Sequence, residues 1–243
     1  MKKRTLLLSV FAFALLAQVS VSLAVPIGDS NEGKDYLLAG VGLYRWSCGI
    51  YGYNQDRDIQ VKPHDVPETL ETTKTMIYVG YDLVRWLTIY GTVGQNKSKP
   101  QGWYWGEGDA EFEYGAGLRL NILDHEIPDP TLFENRLRIT AGAQYTWTQA
   151  DQDLYPWKWE ELVADLTVSI VNDIEGNALY LPNSIALYVG PVLSIIRSDT
   201  IKADDKFGYS AGVEVYFTEC VSFDLGIQKL DDTGYVGGLH IRF

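Results

Sequence analysis

Period-two alternation of apolar and polar residues recurs along this chain, and helical periodicity is almost absent. Over Phe207–Phe217, Phe207, Tyr209, Ala211, Val213, Val215 and Phe217 share one face, while Gly208, Ser210, Gly212, Glu214 and Tyr216 share the other. In Ala110–Ile122, Phe112, Tyr114, Ala116, Leu118, Leu120 and Ile122 oppose Glu111, Glu113, Gly115, Gly117, Arg119 and Asn121. In Arg136–Thr148, Leu137, Ile139, Ala141, Ala143, Tyr145 and Trp147 oppose Arg136, Arg138, Thr140, Gly142, Gln144 and Thr146. The last segment sets Tyr235, Leu239, Ile241 and Phe243 against Gly238, His240 and Arg242. Read this way throughout, the chain predicts ten strands near 36–46, 74–83, 86–94, 110–122, 135–149, 158–172, 184–197, 206–217, 220–229 and 233–243. The first and seventh carry apolar residues on both faces, and Pro191 interrupts the seventh.

The N-terminus reads as an address. Lys2, Lys3 and Arg4 precede an apolar run from Leu6 to Ala17 and the small-residue stretch Ser22-Leu23-Ala24. That is the form of a secretory signal peptide, and the run is short of the roughly 20 residues a spanning helix needs. The expected organisation is a signal peptide over 1–24, an N-terminal periplasmic extension over 25–35 and a barrel over 36–243. Cleavage would remove three positive charges and move the formal charge from −12 to −15. So acidic a chain lacks the basic footprint of a nucleic-acid binder. Two cysteines exclude a disulfide-rich scaffold and a four-cysteine metal site.

After residue 24 no stretch approaches 18 uninterrupted apolar residues. The membrane architecture left is a closed β-barrel, which pairs every backbone group inside the bilayer. Most of the strands have about ten residues or more, enough to cross when tilted. Connections near 47–73, 95–109, 150–157 and 198–205 are polar and mostly acidic, whereas Val84-Arg85 and Thr218-Glu219 are tight turns. Long loops on one side and short turns on the other are the habit of outer-membrane barrels. The expected fold is all-β, a single up-and-down antiparallel transmembrane barrel of about ten strands.

Alternation does not say which face points outward, since a soluble barrel places its apolar face inside. Two features favour an apolar outer wall. The polar face is mostly Gly, Ser, Thr and Tyr with few charges, and Tyr44, Trp46, Trp86, Trp147, Trp157, Trp159, Phe217 and Phe243 gather near strand ends as expected interface aromatics. The C-terminus then carries a specific likeness. Tyr235, Leu239, Ile241 and Phe243 match the alternating, aromatic-ended closing strand of bacterial outer-membrane barrels, and Gly238 matches the glycine of its assembly signal. Val236 stands where that signal prefers a polar residue. The chain thus resembles a small barrel of the OmpA/OmpX type with one extra hairpin. The resemblance implies insertion by the barrel-assembly machinery and residence among outer-membrane lipid and lipopolysaccharide. It does not choose among the adhesins, enzymes, small pores and structural proteins built on such barrels.

With the polar face inward, Asp82, Arg119, Arg136, Arg138, Glu214, Asp224, His240 and Arg242 fall in the periplasmic half of the lumen. The expectation is an ion-pair network in which the arginines of the fourth and fifth strands face the acids of the eighth and ninth. Charges in a confined interior are tolerable when paired. Such a network plugs and orders a narrow barrel; the sharper alternative is a gated pore lined by it. Glu111, Glu113, Glu161 and Asp165 form a second group nearer the outer end, with Lys74 the nearest cation. They read as solvated carboxylates at the mouth rather than a metal site, and no cofactor is expected.

Catalysis would need a base held by a carboxylate beside a nucleophile. Of three histidines, His64 lies in the longest loop, His125 in a periplasmic turn and His240 inside. Gly28-Asp29-Ser30 is like an esterase nucleophile block but lacks the scaffold for one. Cys48 is expected at the outer end and Cys220 at the periplasmic end, too far apart to bond. The functional expectation is therefore a non-enzymatic outer-membrane barrel with a structural or surface-binding role, an extracellular ligand being met through residues 47–73. The alternatives are a small-solute pore and an outer-membrane hydrolase acting on lipid or peptide.

Overall fold

A computed structural model describes residues 36–37, 46–62, 64–101, 110–127, 134–150, 157–174, 182–203, 206–218 and 220–243. The signal peptide, the extension over 25–35 and the Gly28-Asp29-Ser30 stretch lie outside the described residues. Twelve strands follow in order: β1 (Tyr36–Leu37), β2 (Trp46–Val61), β3 (Val66–Val84), β4 (Leu87–Pro100), β5 (Glu111–Ile127) and β6 (Glu134–Ala150). Then come β7 (Trp157–Asp173), β8 (Ser184–Arg197), β9 (Ile201–Ala203), β10 (Phe207–Tyr216), β11 (Val221–Lys229) and β12 (Thr233–Arg242).

Ten of these strands close a ring. Neighbours run β5-β4-β3-β2-β12-β11-β10-β8-β7-β6, and β6 pairs back onto β5. Every pairing is antiparallel. At the seam between β2 and β12, Trp46 and Phe243 exchange backbone hydrogen bonds of 3.0 and 2.9 Å. The two short strands lie off the ring at opposite ends. β1 pads β5 at Leu123 and Asp124, and β9 pairs with β2 at Ile59–Val61. Pro191 has no N–H, and the β7–β8 register passes from Asp165↔Val192 to Val168↔Val189, leaving out Leu166 with Pro191 and Thr167 with Gly190.

The barrel is inverted relative to a soluble protein. Val189 is 55% exposed and Ile77 52%, whereas Arg138 is 1% exposed and Asp124 0%. Outward aromatics mark both rims: Trp46 against Tyr81 with ring centroids 4.8 Å apart at the periplasmic end, Tyr114 against Trp147 at 5.3 Å at the other. Along β12 the outward face runs from Tyr235 to Phe243. That is about 27 Å of strand at ~3.4 Å per residue, the scale of a roughly 25 Å apolar band. An apolar outer wall on a closed ring with a charged interior is stable only in a bilayer, and the chain is an outer-membrane β-barrel.

One strand departs from the sequence reading. The first expected strand, 36–46, has only Tyr36–Leu37 and Trp46 described as strand, and the first barrel strand is Trp46–Val61. Residues 47–73 are consequently not a loop. They belong to a β2–β3 hairpin paired continuously from Trp46↔Tyr81 to Val61↔Val66, with turn residues at 62, 64 and 65. The outward residues Asn54, Asp56 and Asp58 explain the difference. Above the apolar band a barrel wall meets water on its outside, so polarity on both faces does not signal a loop. The shift also corrects Cys48, which pairs with Ile241 and so lies at the same end as Cys220, whose carbonyl accepts from Arg242 N–H at 2.8 Å. With Val221↔Ile241↔Cys48 in register, two strand spacings, about 10 Å, separate them, still beyond disulfide reach. Both thiols are free.

Candidate functional site: the lumen charge layers

Strand alternation drives the inward residues into a narrow lumen, where they stack in layers. The periplasmic layer contains every residue of the network expected from sequence. Arg242 reaches Asp82 at 3.0 Å, and Thr88 donates to the same carboxylate at 2.5 Å. His240 sits between two partners: its Nε2 meets Asp224, and its Nδ1 shares a 2.9 Å hydrogen bond with the Tyr78 hydroxyl. Arg119 donates to Thr140 at 3.1 Å.

The remaining arginines meet acids beyond those expected. Arg138 meets Asp124 at 3.0 Å, and Arg136 lies between Asp173 at 3.1 Å and Asp124 at 3.8 Å. Tyr216 links Glu214 to Arg138, which donates to the Tyr216 hydroxyl at 3.0 Å while Tyr216 donates to Glu214 at 2.7 Å. Ser222 donates to the other Glu214 oxygen at 2.6 Å. A tyrosine thus links the facing sides of the lumen.

A middle layer is uncharged. Tyr90 donates to Gln144 at 3.1 Å, Gln144 in turn donates to Tyr51 at 3.5 Å, and Met76, Tyr78 and Val236 pack around them.

The extracellular layer is a second ion-pair cluster. Lys74 lies 2.9 Å from Glu113 and 3.8 Å from Glu161, and Thr148 donates to Glu113 at 2.8 Å. Arg57 completes it, 3.0 Å from Glu161, 3.6 Å from Asp231 and donating to Ser194 at 2.7 Å. These carboxylates are thus paired inside the wall rather than solvated at the mouth. Asp165 accepts from Thr167 at 2.8 Å. Cavities of about 50 Å³ and 20 Å³ adjoin the Lys74 ammonium, each of a size for very few waters. Above them Ile59, Leu70, Trp157, Trp159 and Ile201 form an apolar cap, so Trp157 and Trp159 face inward rather than the membrane interface expected from their place near a strand end.

Arg57, Asp124, Asp173 and Asp231 were not among the residues singled out from sequence. Arg57 and Asp58 read as loop charges, and a register irregularity between Asn121 and Leu123 turns Asp124 inward against simple alternation. Tyr235, Leu239, Ile241 and Phe243 point outward on β12 and Gly238 inward, where a Cβ would come 2.7 Å from Asp224 Oδ1. His64 and His125 are exposed. Among the described residues no group of three or more His, Cys, Asp or Glu could hold a metal ion.

No protein-family model matches this sequence, and no curated protein does. Three solved structures are similar in outline. The transport unit of the autotransporter AIDA-I from Escherichia coli matches with a TM-score of 0.44 at 9% identity, over 90% of this chain and 93% of that one. An outer-membrane channel from Pseudomonas putida F1 gives 0.42 at 9% identity, over 89% and 100%. The translocator domain of the autotransporter NalP from Neisseria meningitidis gives 0.38 at 10% identity, over 85% and 91%.

Proposed function

We propose that this chain is a narrow, non-enzymatic small-solute channel held closed by its lumen charge layers. The supporting observation is that two layers of buried ion pairs lie in the lumen, on either side of an uncharged belt. A purely structural plug gains little from charges, since apolar residues of similar volume fill a core at equal or greater stability. Paired charges can exchange partners and admit water; an apolar fill cannot. Lys74, flanked by Glu113 and Glu161 and by both cavities, is the natural hinge of such an exchange. A ten-stranded wall limits the conduit to ions and small polar solutes.

Single-channel recording in planar bilayers tests this. The native barrel is expected to give brief, small openings, and Arg57→Ala to raise the open probability and shift selectivity toward cations. Silence from both, in protein whose folding is verified by heat-modifiable migration, would overturn the reading.

A surface-binding barrel is the second reading, favoured by the β2–β3 hairpin, whose outward Asn54, Asp56 and Asp58 stand clear of the apolar band. Asn54→Ala with Asp56→Ala and Asp58→Ala should then abolish attachment to an extracellular partner and leave conductance intact. The hydrolase alternative finds less support, because His240 is buried between Asp224 and Tyr78. Tyr235, Gly238, Leu239, Ile241 and Phe243 are read as the signal handed to the barrel-assembly machinery. Their support is the single outward stripe that four of them make at the closing seam.

A further inference from the structure

The lumen holds small cavities beside Lys74. An open groove of about 760 Å³ lies outside it, at the extracellular rim. One wall is aromatic: Tyr114 and Trp147 stack with an interplanar angle of 17° and face outward. The other wall is basic. Lys62 from the β2–β3 turn, Lys158 from β7, Arg197 from β8 and Lys202 from β9 all line it and all are exposed. Glu160 and Asp199 line it too, and Glu160 is engaged by the Tyr145 hydroxyl at 2.5 Å. The groove is therefore net positive on a chain of formal charge −12.

The sequence disperses these four cations over 140 residues, and the fold gathers them. The link from β8 to β2 crosses the mouth, where Lys62 N–H donates to the Thr200 carbonyl at 2.8 Å and Lys62 Nζ to the Ser198 carbonyl at 2.9 Å. That crossing fixes Lys62 and Lys202 beside the outer ends of β7 and β8.

We infer that this groove binds the headgroup of a phosphorylated glycolipid in the outer leaflet. Three features select that occupant. The stacked aromatic pair offers a flat apolar face of the kind on which a sugar ring rests, and aromatic rings at this depth belong to the headgroup zone. The cations above it offer a phosphate several donors, with Arg197 able to form a bidentate pair. The outward Leu118 and Leu162, toward mid-membrane from Tyr114 and Glu160 on the same strands, continue the wall that acyl chains would follow. A soluble anion would use the cations alone; a neutral lipid would use the aromatics alone.

Glycolipid retention by the detergent-solubilised barrel tests the inference, with a bisphosphorylated, acylated glucosamine disaccharide in mixed micelles as probe and native mass spectrometry as readout. The native chain is expected to retain it stoichiometrically. Lys158→Gln with Arg197→Gln should weaken retention about thirtyfold, at roughly fivefold per interfacial charge. Trp147→Ala should weaken it independently. Lys97→Gln with Lys99→Gln, on the outward face of β4, should change nothing. Equal retention by the Lys158/Arg197 variant and the native chain would overturn the site. Equal retention of the dephosphorylated lipid would overturn the headgroup assignment. Competition by inorganic phosphate at the glycolipid's own affinity would replace the lipid by a free anion.

Discussion

Asp124 and Arg138 are direct cross-strand partners on β5 and β6, and their side chains meet at 3.0 Å in a part of the lumen closed to solvent. The pair is the hub of the periplasmic layer, with Arg136 on one side and Tyr216 on the other. Removing one member leaves an uncompensated charge in a low-dielectric interior. Asp124→Ala or Arg138→Ala should each lower unfolding free energy by about 3–5 kcal/mol. Asp124→Leu with Arg138→Met should cost much less. Urea unfolding in liposomes measures all three, and a double variant as unstable as either single one would refute the pairing as the source of the cost.

Asp124 reaches the lumen only because β5 carries one extra residue. Asn121 pairs with Thr140 and Leu123 with Ile139, so Ile122 is the bulged position. Deleting Ile122 restores plain alternation without moving Asp124 to the outer face. The variant should fold with its lumen contacts kept. Deleting Ala143, in a stretch of β6 with regular pairing on both sides, should block folding, because one side of the cut then turns polar side chains toward lipid. Heat-modifiable migration separates the two, and equal failure of both would contradict the register.

Three lumen tyrosines lie against glycines that are their direct cross-strand partners: Tyr78 on Gly49, Tyr90 on Gly117 and Tyr188 on Gly212. A Cβ at Gly212 would run into the Tyr188 ring and hydroxyl and would also lie 2.6 Å from the Leu225 carbonyl. Gly212→Ala should destabilise by about 1–3 kcal/mol, as overpacking does. Tyr188→Leu in the same chain should recover part of that loss, since the ring contact is relieved and the backbone contact is not. A strictly additive double mutant would show that the ring does not hold the glycine small.

These elements show what a one-dimensional pattern carries. β6 and β10 were readable because their outward faces stay apolar across the band, from Leu137 to Trp147 and from Phe207 to Val215. β2 was not, because Asn54, Asp56 and Asp58 continue the wall into water and look like loop from sequence. Arg57 went with it, and with Arg57 the key to the extracellular layer. Asp124 was hidden differently: alternation counted from Arg119 assigns it to the lipid face, and only a bulge reverses that. Facing within a regular strand is local information. Which charge finds which partner depends on ring order, and the four cations of the outer groove depend on a chain crossing that no local pattern records.

That crossing also supplies a lever on the closed state. β9 pairs with the end of β2, with Gln60 opposite Lys202, and Ile201 fills the cap above the Arg57 cluster. Opposed residues of an antiparallel pair have Cα atoms about 4.5–5.5 Å apart, within disulfide reach. Gln60→Cys with Lys202→Cys, in a chain carrying Cys48→Ser and Cys220→Ser, should therefore oxidise readily. If the lumen conducts when the cap lifts, the oxidised form of this variant combined with Arg57→Ala should be nearly silent in planar bilayers. Reduction should restore its openings. Conductance indifferent to the redox state would mean that the cap does not gate the mouth, and the closing element would then lie below it, at Tyr51, Tyr90 and Gln144.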